Sequence, residues 1–382
     1  MRFEGSKFIL TSFILWRLAL FLIVFLGISL FPLQKDFLGG GLANYIKNPY
    51  FWSFLNFDGE HYASIAHLGY QPLTYFFFPL FPILTRLVAF FVNREFTTIA
   101  LSGLLVSNIA FLIGLFGFWK LIRLDYKENI AKMTILLLIL FPTSFYFGAF
   151  YTEGLVFALI IGSFYFARKK NWILTGVLGA FATATRITAL ALIPALGYEV
   201  WKFIKDRKDG RVIPLISLAL VPMGLILYMY YLYVTVGDPL EFFHNVSIFG
   251  EQRSSEIVLL PQVFYRYLFK VLPNLNYNYF PIVFTTFLEI ASAVLFLVLG
   301  AWSFYKLRLS YALFFAAGYL IPPLSGSFSS FPRYVLILFP AFLLFATFLE
   351  GRTRLSKGVV YAILLLLLII SCGLFVRGYW VS

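Results

Sequence analysis

"MRFEGSKFILTSFILWRLALFLIVFLGISLF", residues 1–31, places basic residues ahead of a long apolar run. A helix needs roughly 20 apolar residues to cross the hydrocarbon layer. The run is too long for the core of a secretory signal and lacks a small-x-small cleavage site, so it reads as an uncleaved first span with a cytoplasmic N-terminus. The same pattern recurs along the chain. With 61% hydrophobic and 12% charged residues, 48 Phe, 24 Tyr and 7 Trp, the composition is that of a polytopic membrane protein. Inside lipid each backbone amide must be bonded within its own segment, so the spans are helices. The period-2 alternation of a membrane barrel is absent from the sequence.

The basic clusters set the topology. Lys120 to Lys132, Arg168 to Lys170, Lys202 to Arg211, Lys306 with Arg308, and Arg352 to Lys357 sit between apolar runs, as cytoplasmic loops do. The expected spans are 9–31, 97–119, 133–150, 153–167, 172–186, 187–201, 212–234, 279–304, 309–323, 333–349 and 358–376. The class is therefore an all-α bundle of about eleven crossings, within a range of about 10 to 13. The segment "YFFFPLFPILTRLVAFF", residues 75–91, reads instead as a half-buried or re-entrant helix entered through Pro79 and Pro82.

This arrangement leaves the long polar segments outside: residues 32–96, a first outer loop with interfacial helices, and residues 235–278, a second. No repeat and no hydrophilic stretch of about 100 residues is evident, so residues 1–382 read as one membrane domain. The net charge of +13 follows from loop clusters and does not imply a nucleic-acid partner. The single cysteine, Cys372, excludes an intrachain disulfide and a thiolate metal cage. A Gly-rich diphosphate turn on a doubly wound domain is missing, so an activated substrate is expected to arrive through the membrane lipid.

In "NFDGEHYASIAHLGY", residues 56–70, Asp58, Glu60 and His61 fall within four positions. Tyr62, Ile65, Ala66 and Gly69 form a stripe at helical spacing, which suits a helix in the interface plane with Asp58 at its N-cap. The plainer reading is that the acids only start that helix. His61 and His67 have no third His or Cys nearby and read as packing or interface residues. Other charges lie at the outer ends of apolar runs: Glu153 in "FGAFYTEGLVF", Arg186 in "FATATRITAL", and Arg333 beside Tyr334 in "SSFPRYVLILFP". A charge at such depth costs about 2.5–3.5 kcal/mol on insertion scales and normally serves a pathway, a pair or a site. Arg17, in the first span, reads equally as a pathway charge or a structural one. Asp238, in "TVGDPLEFFHNV", reads first as a turn residue, and Asn245 opens an N-x-S sequon.

"FDGEHYASIAHLGY", "FFPLFPIL", "YTEGLVFAL" and "ATATRITAL", in this order between about residue 50 and residue 195, resemble the PIG-V family of membrane mannosyltransferases within the GT-C superfamily. "GDPLEF" and "FPRYVLILFP" extend the likeness more loosely. Thr152 stands where the family has a serine before its acid, and the Asn-Gly that follows the family's Thr-Arg is missing, since Thr188 and Ala189 follow Ile187. The resemblance implies a GT-C-like fold, a polyprenyl-phosphate-sugar donor and a site on the extracytoplasmic face. It also implies an acidic base in the first outer loop, at the place Asp58 occupies.

On that reading an acceptor hydroxyl, on a lipid-linked or surface glycan, attacks the anomeric carbon while Asp58 takes its proton. Arg186 and Arg333, with Tyr334 beside them, receive the lipid phosphate. His61 orients Asp58 or the acceptor, and Glu60, Glu153 and Asp238 are supporting residues. A single displacement inverts the anomeric centre, so a β-linked mannosyl phosphate gives an α-mannoside. No cofactor is expected; a divalent metal on an Asp58/Glu60 pair is the less favoured variant. A transporter or flippase of a lipid-linked sugar would share the arginines, yet repeats or paired broken helices are expected of it and are not evident. A scaffold subunit would leave the four charged positions to chance.

Overall fold

The computed structural model describes residues 2–206, 210–245, 253–254 and 256–381, and these contain helices and turns without a strand. Part of the Lys202–Arg211 cluster, part of the 235–278 segment and Ser247 of the sequon lie outside the described residues. Five helices are long and apolar enough to cross a membrane: Gly5–Leu30, Phe96–Ile122, Ile187–Asp206, Phe280–Lys306 and Arg354–Val376. Two more expected spans are bent pairs, Val212–Leu220 with Met223–Val236 at 44° and Phe331–Ile337 with Phe339–Glu350 at 80°. Pro222 sits in the first break and Pro340 is the second residue of the helix that follows the second, and at each the ring and missing N–H prevent one continuous helical ladder.

The other four expected crossings are helical over shorter lengths: Glu128–Leu140, Glu153–Arg168, Trp172–Thr183 and Leu309–Leu320. The 133–150 segment is not one helix. Phe141 precedes Pro142 and adopts ψ 142°, which ends the helix, and residues 144–147 form a tight 3-10 turn. Residues 75–91 contain the helix Leu80–Phe90, whose 11 residues span about 16 Å and fall short of a full crossing.

The described residues fall into two compact units. One comprises residues 1–70, 81–158 and 345–381. In it the first and last long helices lie side by side, with Phe96–Ile122 against the first. The Phe111 and Phe147 rings stack at 4.2 Å, Trp16 packs on Phe111 at 5.2 Å, and the Trp16 indole N–H donates to Ser144 Oγ at 3.3 Å. Arg17 is a structural charge here. Its Nη1 donates to the Gly148 carbonyl at 3.2 Å and its guanidinium lies 5.0 Å from the Phe21 and Phe54 rings.

The other unit comprises residues 71–80 and 159–344. Leu309–Leu320 packs between Ile187–Asp206 and Phe280–Lys306, and Phe164 is held among Tyr311, Phe314 and Phe339. Ser310 donates to the buried Glu199 carboxylate, which Arg308 also approaches at 3.5 Å. Met223–Val236 crosses Trp172–Thr183 at Gly224, where a Cβ would lie 2.0 Å from the Ala180 carbonyl oxygen. Small residues permit such close approach between membrane helices. Overpacking costs about 1–3 kcal/mol, so Gly224→Ala is expected to lower the melting midpoint of the detergent-purified protein by about 3 °C or more. An unchanged midpoint would mean that this crossing relaxes freely.

Candidate functional site

The 32–96 loop enters its helix Asp58–Leu68 in a way the sequence pattern does not anticipate. Asp58 was expected at the N-cap, but that position belongs to Phe57, and Asp58 is the first residue of the helix Asp58–Leu68. Phe57 sits at φ 58°, ψ −121°, without a side-chain cap. A bulky residue there costs of order 1–3 kcal/mol and persists only where the surroundings enforce it. The enforcement is visible: the Phe57 N–H donates to the Phe37 carbonyl at 3.0 Å, and the ring lies against Phe37, Phe375 and Trp380.

The apolar stripe of this helix is covered by protein instead of being free to lie on the membrane. Tyr62, Ala63, Ile65 and Ala66 are buried, with Tyr62 edge-on to Phe81 at 5.5 Å and the helix packed on Phe96–Ile122. His67 fulfils its packing role, edge-on to Phe96 at 5.8 Å. Gly69 ends the helix at φ 90°. Asp58, Glu60 and His61 stay half-buried at its mouth. Residues three apart share a helix face, so His61 lies on the side of Asp58, whereas Glu60, two positions on, turns away. Burial holds the His61 imidazole below its ordinary proton affinity, with Asp58 acting in the opposite sense. Burial also pushes the Glu60 carboxyl up.

The same unit carries Glu153. It is fully buried and is the first residue of the helix Glu153–Arg168, where the positive end of the helix dipole favours a carboxylate. The chain just before it abuts the Asp58 turn: Tyr151 OH donates to the Asn56 carbonyl at 2.8 Å, and Gly59 faces Phe150 and Tyr151.

In the second unit three arginines converge on one phenol. Arg186 lies 4.8 Å, Arg333 5.6 Å and Arg253 5.7 Å from the Tyr334 ring centroid. Arg186 stands in the extended joint, φ −157°, between Trp172–Thr183 and the turn Ile187–Ala191. Arg333 and Tyr334 belong to the four-residue helix Phe331–Tyr334, entered through Ser330 at φ 65°. Arg253 bridges from the 235–278 segment, its Nη1 donating to Tyr334 OH at 3.3 Å and its Nη2 to the Ser329 carbonyl at 2.9 Å. Beneath, Tyr267 OH donates to Glu289 Oε2 at 2.8 Å and lies 3.2 Å from Ser327 Oγ. Planar guanidinium forks suit tetrahedral oxyanions, which makes this cluster a candidate oxyanion basin.

Sequence reasoning grouped Arg186, Arg333 and Tyr334 and missed Arg253, Tyr267 and Glu289. The signal for Glu289 was present: an acid inside the apolar run "TTFLEIASAV". Arg253 offered none, because an arginine in a polar loop is ordinary. Asp238 is not part of this basin's described contacts. Its Oδ1 accepts from the Leu240 N–H at 2.8 Å and its Oδ2 lies 2.6 Å from His244 Nδ1, so it caps its own turn. These bonds, the Leu240 N–H first, hold its carboxyl below the usual range.

The loop bearing Asp58 and the joint bearing Arg186 fall within residues 7–322, a stretch that matches a known family, whereas Arg333 and Tyr334 lie beyond it. Over 196 aligned residues the chain is 27% identical to "GPI mannosyltransferase 2" of Cryptococcus neoformans var. neoformans serotype D, strains JEC21 and B-3501A. The alignment covers 46% of this chain and 46% of theirs, so it spans about half the length of those curated relatives. Among solved structures, an oligosaccharyltransferase of Archaeoglobus fulgidus, tethered to an acceptor peptide, aligns over 96% of this chain and 56% of its own at a TM-score of 0.39 and 10% identity. The sequence profile of the family Mannosyltransferase (PIG-V) matches residues 7–322. By that match, across most of a multi-pass helical membrane chain, the protein belongs to the PIG-V mannosyltransferase family.

Proposed function

We propose that this protein is a hexosyltransferase, specifically a mannosyltransferase, moving mannose from a polyprenyl-phosphate donor to a hydroxyl of a lipid-linked or surface glycan on the extracytoplasmic side. Family membership supports the transferred group. The observation that carries the donor class is the convergence of Arg186, Arg253 and Arg333 on Tyr334, a donor-rich basin suited to a phosphate that arrives on a lipid. In the reaction the acceptor oxygen forms a bond to the sugar C1 as the C1–O bond to the phosphate breaks. The hydroxyl proton passes to Asp58, and the bonding pair leaves with the lipid phosphate, whose growing charge the guanidinium groups offset. His61, on the same helix face, donates the N–H hydrogen bond that orients the Asp58 carboxylate. One displacement converts a β-linked donor into an α-mannoside.

A metal-free reaction accords with the local geometry. Asp58 and Glu60 are two residues apart on a helix and therefore project in divergent directions, a poor bidentate pair for a cation. Transfer is expected to continue unchanged in excess EDTA; a steep loss restored by added Mg²⁺ or Mn²⁺ would assign a metal role. The overall proposal is tested with radiolabelled polyprenyl-phosphate mannose and a glycolipid acceptor in proteoliposomes. Label appearing in the acceptor as α-mannoside supports it. Label crossing the bilayer without transfer would make the protein a carrier and overturn it.

A further inference from the structure

Residues 375–381 lie beyond the 7–322 stretch that matches the family, yet they are built into the loop that carries Asp58. The last long helix, Arg354–Val376, ends in a closed turn: the Tyr379 N–H bonds the Leu374 carbonyl and the Gly378 N–H the Phe375 carbonyl, both at 3.1 Å, around Gly378 at φ 82°. This double bond pattern with a left-handed glycine is the Schellman C-cap. It sends the chain back onto the first outer loop instead of away from it. The Gln34 N–H donates to the Arg377 carbonyl at 2.9 Å, and Arg377 Nε returns a bond to the Phe31 carbonyl at 2.9 Å. Tyr45 OH donates to the Val376 carbonyl at 2.6 Å, and Tyr146 OH to that of Val381.

The contacts closest to Asp58 are the informative ones. Asn56 is fully buried; its Nδ2 donates to the Phe375 carbonyl at 3.0 Å and its Oδ1 accepts from the Gly39 N–H at 3.1 Å. Trp380 presses edge-on against Phe57 at 5.0 Å, and Phe375 lies 5.8 Å from the same ring. Asn56 and Phe57 immediately precede Asp58, and Phe57 holds the unfavourable backbone angles that set where the helix starts. Freed of Phe375 and Trp380, Phe57 would relax toward an ordinary conformation and carry the carboxylate with it.

We propose that residues 375–381 act as a clamp that positions Asp58 through Asn56 and Phe57, so that Asn56, Phe375 and Trp380 are positioning residues for proton transfer. The kinetic part rests on the mannosyltransferase reading. Trp380→Ala and Asn56→Ala are expected to lower kcat by roughly 10- to 100-fold, the effect of a misplacement near 1 Å, with the donor KM within about twofold of wild type. Trp380→Phe, which keeps an aromatic edge, is expected to restore most of the rate. In hydrogen–deuterium exchange on the same detergent-purified protein, amides of residues 56–62 should exchange faster in both alanine variants while those of Phe96–Ile122 stay protected. Unchanged kcat and unchanged exchange at 56–62 would overturn the clamp, as would a loss confined to KM. An inactive wild-type protein would count against the proposed reaction and leave the clamp to be decided by exchange alone. Should Asn56→Ala fail to fold, Trp380→Ala and Gly378→Ala decide it, the latter because its Cβ would crowd Gln34 at 3.1 Å.

Discussion

Asp58→Asn is expected to lower kcat by roughly 10²–10⁴-fold while the protein still inserts, purifies and binds donor lipid with near-normal KM. The amide is nearly isosteric with the carboxylate, and Asp58 is not the helix cap, so helix Asp58–Leu68 should form as before. What is lost is the acceptor for the hydroxyl proton. The pH profile separates this role from a structural one. A general base must be deprotonated, so wild-type kcat/KM should rise with pH along an acid limb, and that limb should vanish in Asp58→Asn. Glu60→Gln, whose side chain turns to another helix face, should keep the limb and most of the rate. A near-wild-type Asp58→Asn enzyme would remove the base from this loop altogether.

The second large effect is expected from the arginine basin. A hydrogen bond to a charged group contributes roughly 1.5–3 kcal/mol, so Arg186→Ala and Arg253→Ala should each reduce kcat/KM for the phosphate-linked donor about 10- to 100-fold, with acceptor KM little changed. Lysine should rescue either position poorly, because a point ammonium lacks the planar fork that grips two phosphate oxygens at once. Arg253 is the sharper test. It belongs to the 235–278 segment, and its bonds to Tyr334 OH and the Ser329 carbonyl tie that segment to the turn bearing Arg333. Equal losses for donor and acceptor would mean that the cluster holds the fold and not the phosphate. Free inorganic phosphate or a short-chain prenyl phosphate should protect the wild-type basin from arginine-directed phenylglyoxal; absence of protection by both would argue against an oxyanion site.

The membrane class, the helical character and the family were legible in residue order. Apolar runs near 20 residues force helices wherever backbone groups have no water to bond, and the motifs around Asp58, Glu153 and Arg186 are local strings. Arg333 and Tyr334 were legible as a charged pair at the end of an apolar run. Helix lengths were less so. Residues 133–150 are apolar throughout, yet Pro142 stops the helix at Leu140, and hydropathy alone does not register a backbone constraint. An apolar stripe fits a membrane surface and a protein neighbour equally well, so residue order alone did not reveal that Phe96–Ile122 packs on the helix Asp58–Leu68.

Residue order by itself thus determined that the chain is a helical membrane protein of this family, because burial cost and backbone bonding act on each segment separately. Tertiary structure decided the rest. Only folding brings Arg253 and Arg186 to one phenol ring from positions far apart in the chain, and only folding seats Phe375 and Trp380 against Phe57. Charge clustering and aromatic packing depend on distances between segments, and distance along the chain carries no record of them.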